Sequence, residues 1–169
     1  KAVEWTPEQQ EEINRLVAEA LLNECGSPYT GILYGGFIAT ARGVRVIEYN
    51  CRLGDPEAMN VLALLESDFV EILKQITTGT LSLSKVKFAN KATVCKYLVP
   101  AGYPDSPAKD AEISVDEKAI EKTGAHLYFA AVDSRDGKIF TTASRALAVL
   151  AVAPSIEEAE KIAENATQF

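Results

Sequence analysis

A chain of 169 residues, 47% of them hydrophobic, is long enough to bury a core as one domain or two small ones. Its mean hydropathy of -0.00 describes an ordinary soluble protein, with no apolar run of about 18 residues to span a membrane. A net charge of -7 and no Lys/Arg cluster argue against a nucleic-acid surface, because phosphate binding needs a basic stripe.

Thr6-Pro7-Glu8-Gln9 supplies an N-cap, a proline at the first helical position and a glutamine able to close a capping box. Ile13, Leu16, Val17, Ala20 and Leu21 follow at helical spacing and Gly26 is a natural stop, so an amphipathic helix is expected. Thr30 to Thr40 is β-prone around Gly35-Gly36; a bulge is the ordinary meaning of such a pair, and close approach of a ligand the rarer one. Ala41-Arg42-Gly43 then turns the chain into Val44–Asn50 as an antiparallel hairpin. Strict alternation puts Val44, Val46, Glu48 and Asn50 on one side, the last two about 6–7 Å apart along the backbone.

Asp55 is expected to cap the next helix, with Pro56 at its first position and Ala58, Val61, Leu62 and Leu65 on its buried face. Another helix starts at Asp68 with Glu71 three residues on, buries Phe69, Ile72, Leu73 and Ile76, and stops at Gly79. The polar connection 80–89 reads as a boundary, separating 1–79 from a β-rich domain at 90–169. There, strands are expected over Ala92–Val99, Glu112–Val115, His126–Val132, Lys138–Thr142 and Ala146–Val152, with Pro100–Ala111 a loop. Arg135-Asp136-Gly137 is a hairpin turn, and Ser155 with Glu158 caps a final helix lined by Ala159, Ile162, Ala163 and Ala166.

Cys25, Cys51 and Cys95 are odd in number and far apart, without a C-x-x-C pair, and read as reduced thiols of a cytoplasmic protein, buried as small hydrophobes. His126, the only histidine, has no nucleophile motif beside it and reads as structural. The chain begins at Lys1 without a methionine and ends at Phe169 within a helical pattern, so both ends read as cut.

The densest chemistry lies between strand and helix. Glu48 and Asn50 offer a charged and a neutral oxygen, a pair suited to a hard cation that shares phosphate oxygens; on spacing alone they are equally two solvated edge residues. Arg52 presents a planar fork for carboxylate or phosphate, with a surface ion pair as its bland alternative. Gly54-Asp55-Pro56 reads as a helix start, and all of these together as a phosphate-handling corner. No G-x-x-x-x-G-K-[ST] or G-x-G-x-x-G is present.

The stretch N-C-R-L-G-D-P-E-A-M-N, Asn50 to Asn60, resembles the signature of the phosphoribosylamine–glycine ligase family of ATP-grasp enzymes. The likeness extends through Gly31–Gly36, Glu66-Ser67-Asp68, Ala92–Cys95, Gly102-Tyr103-Pro104, Asp136-Gly137-Lys138 and Glu157-Glu158-Ala159. It implies an α+β fold: the second half of an ATP-grasp domain, then a small β-rich C-terminal domain with a terminal helix. The implied reaction phosphorylates glycine with ATP to an acyl phosphate, which the amine of 5-phosphoribosylamine attacks, a step of purine biosynthesis. Carried over, Glu48 and Asn50 are the ligands of Mg²⁺ (or Mn²⁺) and so contact the ATP phosphates. Arg52 and Asp55 are the catalytic residues, and Arg52, Gly54, Asp55 and Pro56 bind substrate. Where the family commonly has Gly-Gly-Arg-Val-Leu, this chain has Ala143-Ser144-Arg145-Ala146-Leu147. The family's amino-terminal half has no counterpart here, so the resemblance implies that it is the missing partner and that the chain alone is inactive. The alternatives are another ATP-grasp carboxylate–amine ligase and a non-catalytic interaction module.

Overall fold

The computed structural model describes residues 6–82 and 85–169. In chain order its elements are α1 (Pro7–Cys25), β1 (Tyr34–Thr40), β2 (Gly43–Asn50), α2 (Glu57–Leu62), α3 (Phe69–Thr78), β3 (Ala92–Leu98) and β4 (Glu112–Ile113), followed by α4 (Glu117–Thr123), β5 (His126–Phe129), β6 (Val132–Arg135), β7 (Lys138–Thr141), β8 (Leu147–Ala153) and α5 (Ile156–Ala166). They form two compact units: the residues through Asp55 with Ser67–Lys85, and Pro56–Glu66 with Val86–Phe169. The boundary read from composition runs once along the chain; packing instead places Pro56–Glu66 with the later residues. Positions 83–84 of the expected connection lie outside the described residues.

The helices of the first unit are delimited by short-range chemistry. Thr6 and Gln9 form the capping box of α1, and Gly26, at φ 71, ends it by donating its N–H to the Leu22 carbonyl. Asp68 accepts the Glu71 N–H at the start of α3, and Gly79 closes that helix in the same left-handed conformation. Their apolar faces are less covered than expected: Leu16 is 49% exposed and Leu73 40%, and the buried hydrophobic side chains of the described residues all lie between Ile120 and Ala166. Helical spacing creates an apolar face but does not supply what covers it.

The hairpin forms as expected, with Thr40 opposite Gly43, but its register corrects the strand faces. Gly36 pairs with Glu48 while Phe37 pairs with Val46, which leaves Ile47 as an extra residue on β2. Directly opposed residues share a face, so Val44 and Val46 lie with Ala39 and Phe37, whereas Glu48 and Asn50 lie with Gly36 and Tyr34 on the other. The bulge has reversed the alternation that the sequence alone suggests.

In the second unit, α2 departs from expectation at both ends. Pro56 itself is the N-cap, at φ -92, and no side chain caps the helix, so Asp55 does not play that part. The helix stops at Leu62 because Leu65 bridges to Phe88, with Glu66 N–H on the Lys87 carbonyl and Ala89 N–H on that of Leu64. Val61 and Leu62 are accordingly 45% and 36% exposed instead of buried.

The core is built on β8, the middle strand of the antiparallel order β3-β8-β5. Leu147 to Ala151 are at most 4% exposed, a continuous apolar run of the kind a strand covered on both faces needs. Ala159 and Ala163 of α5 pack against Ala151 and Ala153, and Ala166 joins Val149, Ile120 and Ala125; methyl-sized side chains let helix and sheet approach closely. Ser155 caps α5 by accepting the Glu158 N–H, as its sequence indicates.

A further sheet has the order β4-β7-β6. The single strand expected over His126–Val132 is two: β5 pairs with β8, and after Ala130 and Ala131 the chain crosses to pair Val132 with Thr141. Asp136 (φ 51) and Gly137 (φ 74) make the β6–β7 turn. α4 was not expected, although Asp116 as its cap, Glu117 in its first turn, Lys122 in its last and Gly124 after it are all ordinary helix signals.

Candidate functional site

The polar corner begins where the β2 bulge turns Glu48 and Asn50 to the face away from Val44 and Val46. The Asn50 amide Nδ2 donates to Glu48 Oε1 at 3.1 Å, so the two side chains meet as the spacing suggested. That bond does not use Glu48 Oε2 or Asn50 Oδ1, two hard oxygen donors on the same strand face, a set whose chemistry fits a divalent cation that takes its remaining positions from water and phosphate oxygens. Among the described residues no cluster of three or more His, Cys, Asp or Glu could hold a metal, so the pair offers one side of a coordination sphere and not a closed cage.

Beyond β2 the chain loops through Cys51 and Arg52, both exposed. Arg52 Nη1 donates to the Leu53 carbonyl at 2.8 Å, which holds the guanidinium of this exposed residue close to the turn. Gly54 is buried and Asp55 exposed. Glu48, Asn50, Arg52, Gly54 and Asp55 belong to the first unit, whereas Pro56 opens α2 in the second.

The reverse face of the hairpin contains groups that sequence reading passed over. Tyr49, between the two oxygen-bearing residues, donates its phenol to Asn14 Oδ1 of α1 at 2.8 Å. Its ring meets Phe37 edge to face, centroids 5.7 Å apart, and partial burial pushes the phenol pKa up. A Cβ on Gly35 would lie 2.7 Å from Phe37 ring atoms and 2.9 Å from Tyr49 Cε1, so the first glycine of the pair makes room for two rings of its own hairpin. At Gly36 the nearest atoms to such a Cβ are 3.8 Å away, an ordinary contact. The Gly-Gly pair was the available signal, and it pointed to close packing next to a bulge.

Elsewhere, Arg145 stacks on Tyr97 with its guanidinium carbon 4.5 Å from the ring centroid. His126 is exposed at the start of β5, opposite Leu150. The three cysteines form no disulfide; Cys25 and Cys51 are exposed, and Cys95 is partly buried. Their expected burial fails because Cys25 ends a helix and Cys51 enters a loop, positions at which no layer covers a side chain.

Residues 2–58 match the family described as phosphoribosylglycinamide synthetase, ATP-grasp (A) domain, and residues 93–168 match phosphoribosylglycinamide synthetase, C domain. The chain is 53% identical over 158 residues to a phosphoribosylamine–glycine ligase of Methanocaldococcus jannaschii, a match covering 94% of this chain and 35% of that protein. The same identity holds over 156 residues with the ligase of Methanothermobacter thermautotrophicus, covering 92% and 35%. The chain thus spans about a third of the length of the curated relatives it matches. The crystal structure of phosphoribosylamine–glycine ligase from Thermotoga maritima is similar at a TM-score of 0.78 and 29% identity, over 98% of this chain and 41% of that one. A phosphoribosylaminoimidazole carboxylase ATPase subunit from Aquifex aeolicus shares the fold at a TM-score of 0.56 and 18% identity, over 100% of this chain and 47% of its own. These likenesses agree with the expected α+β architecture of helices and antiparallel strands.

Proposed function

Because this chain belongs to the phosphoribosylglycinamide synthetase family, we propose that it is part of a ligase that joins glycine to 5-phosphoribosylamine with ATP, through glycyl phosphate, in purine biosynthesis. The observation that carries this reading is the convergence of Glu48 and Asn50 on one strand face, with Arg52 two residues on.

A carboxylate is a poor electrophile, and phosphorylating it brings anionic oxygens together. Glu48 and Asn50 would hold Mg²⁺ or Mn²⁺, which offsets charge on the transferring phosphate oxygens. Arg52 supplies a fixed cationic fork to the phosphoryl group and orients the acyl phosphate, its swing limited by the bond to the Leu53 carbonyl. Gly54, Asp55 and Pro56 shape the loop that receives substrate. The remaining ATP-binding residues belong to parts of the enzyme outside this chain, and on this reading the chain alone does not turn over. A cytoplasmic setting, which cysteines outside any disulfide suit, belongs to the same proposal.

Glu48→Ala in the complete enzyme tests the assignment. The variant should fold normally, since Glu48 is exposed, and lose glycine-dependent phosphate release. Unimpaired turnover refutes the metal role.

A further inference from the structure

The oxygen pair is on one face of a two-stranded sheet, with exposed apolar side chains on that face and at the bulge beside it. Ile38, on the same face, is 51% exposed, and Ile47 at the bulge is 65% exposed. A two-stranded ribbon has no neighbouring strand to limit its twist, so the direction in which residues 48 and 50 project needs another constraint.

That constraint is found behind them. Tyr49 projects to the opposite face, where Asn14 accepts its hydroxyl proton at 2.8 Å and ties β2 to α1 across 35 positions of sequence. Phe37 meets the ring at an interplanar angle of 89°, and Gly35, directly across from Tyr49, leaves the space both rings occupy. Because successive side chains of a strand point in opposite directions, clamping residue 49 sets the direction of residues 48 and 50 together. We propose that Tyr49, anchored by Asn14 and seated with Phe37 over Gly35, is a positioning residue that aims the Glu48–Asn50 pair at the divalent cation. This inference rests on the cation role given to that pair above.

The test uses the complete enzyme, Mn²⁺ as the probe and a non-hydrolysable ATP analogue. Mn²⁺ affinity is read by electron paramagnetic resonance titration, and melting temperature alongside. Tyr49→Phe and Asn14→Ala each remove the anchor and should weaken Mn²⁺ about 3- to 10-fold, the range expected for one hydrogen bond. Asn14→Asp keeps an acceptor and should restore near-normal affinity, while the double variant Tyr49→Phe/Asn14→Ala should be no worse than either single one. Gly35→Ala, which drives the rings apart, should weaken Mn²⁺ further. Unchanged Mn²⁺ affinity in Tyr49→Phe and Asn14→Ala overturns the positioning role, and so does an affinity loss that merely follows the fall in melting temperature or that Asn14→Asp fails to restore. Glu48→Gln separates this outcome from failure of the underlying reading: if Glu48→Gln abolishes Mn²⁺ binding while the anchor variants do not alter it, only the positioning role falls. If Glu48→Gln binds Mn²⁺ normally, the cation role falls and the inference with it.

Discussion

The two units solve opposite problems with the same short elements. The second surrounds β8 with α5 and neighbouring strands until Leu150 and Ala151 have no solvent exposure. The first leaves Leu16, Ile47 and Leu73 exposed and carries the Glu48–Asn50 pair, Arg52 and Asp55. Fully burying an aliphatic side chain is worth about 1.5–3 kcal/mol, so the first unit forgoes stabilisation that the second collects along a whole strand. On the proposed role, oxygen donors that meet a cation and phosphates have to remain uncovered; caps, a bulge and a pair of rings order this unit where a core orders the other.

Deleting one core side chain should separate the units most sharply. In the 169-residue chain, Leu150→Ala is expected to cost about 2–5 kcal/mol in urea unfolding, since it removes buried contacts and leaves a cavity. Leu16→Ala, at a half-exposed site, should cost no more than about 0.5 kcal/mol. Equal losses would mean that Leu16 is packed as tightly as Leu150.

Helix caps should show where the units behave alike. Asp68→Ala in the first and Ser155→Ala in the second each remove an acceptor for one N–H, of Glu71 and Glu158, and should each cost about 1 kcal/mol by the same measurement. A cap is completed within one turn, so the presence of a core should not change its worth.

The smallest effect is electrostatic and confined to the second unit. Lys96 on β3 donates to Glu160, at 2.6 Å, and to Glu164, both of α5, and these bonds raise its pKa. A raised lysine contributes stability that is present below its ordinary pKa and disappears as pH rises through the raised value. The difference in melting temperature between wild type and Lys96→Met should therefore shrink as pH rises beyond about 10. A difference that persists in strong alkali would mean that Lys96 acts through the packing of its stem.

Most element ends were legible because the information lies within a few residues: Thr6 with Gln9, Asp68 with Gly79, Ser155 with Glu158, and the Ala41–Arg42 turn. The α4 signals are equally local, though set in β-prone surroundings. What misled was any inference that needed a distant partner. Leu65 left its helical pattern to bridge Phe88, and the run from His126 divided because two different sheets claimed its halves.

For the candidate site, the sequence by itself determined which groups are present: a carboxylate and an amide two apart, an arginine after them, and a glycine pair on the preceding strand. Their meeting at 3.1 Å follows from that spacing. Only the tertiary structure decided which way they face. Placing Ile47 outside the register reversed the alternation and put Glu48 and Asn50 opposite Val44 and Val46, with Tyr49 turned back to Asn14. A bulge depends on how two strands and the helix behind them fit together, and no window along one strand contains that information.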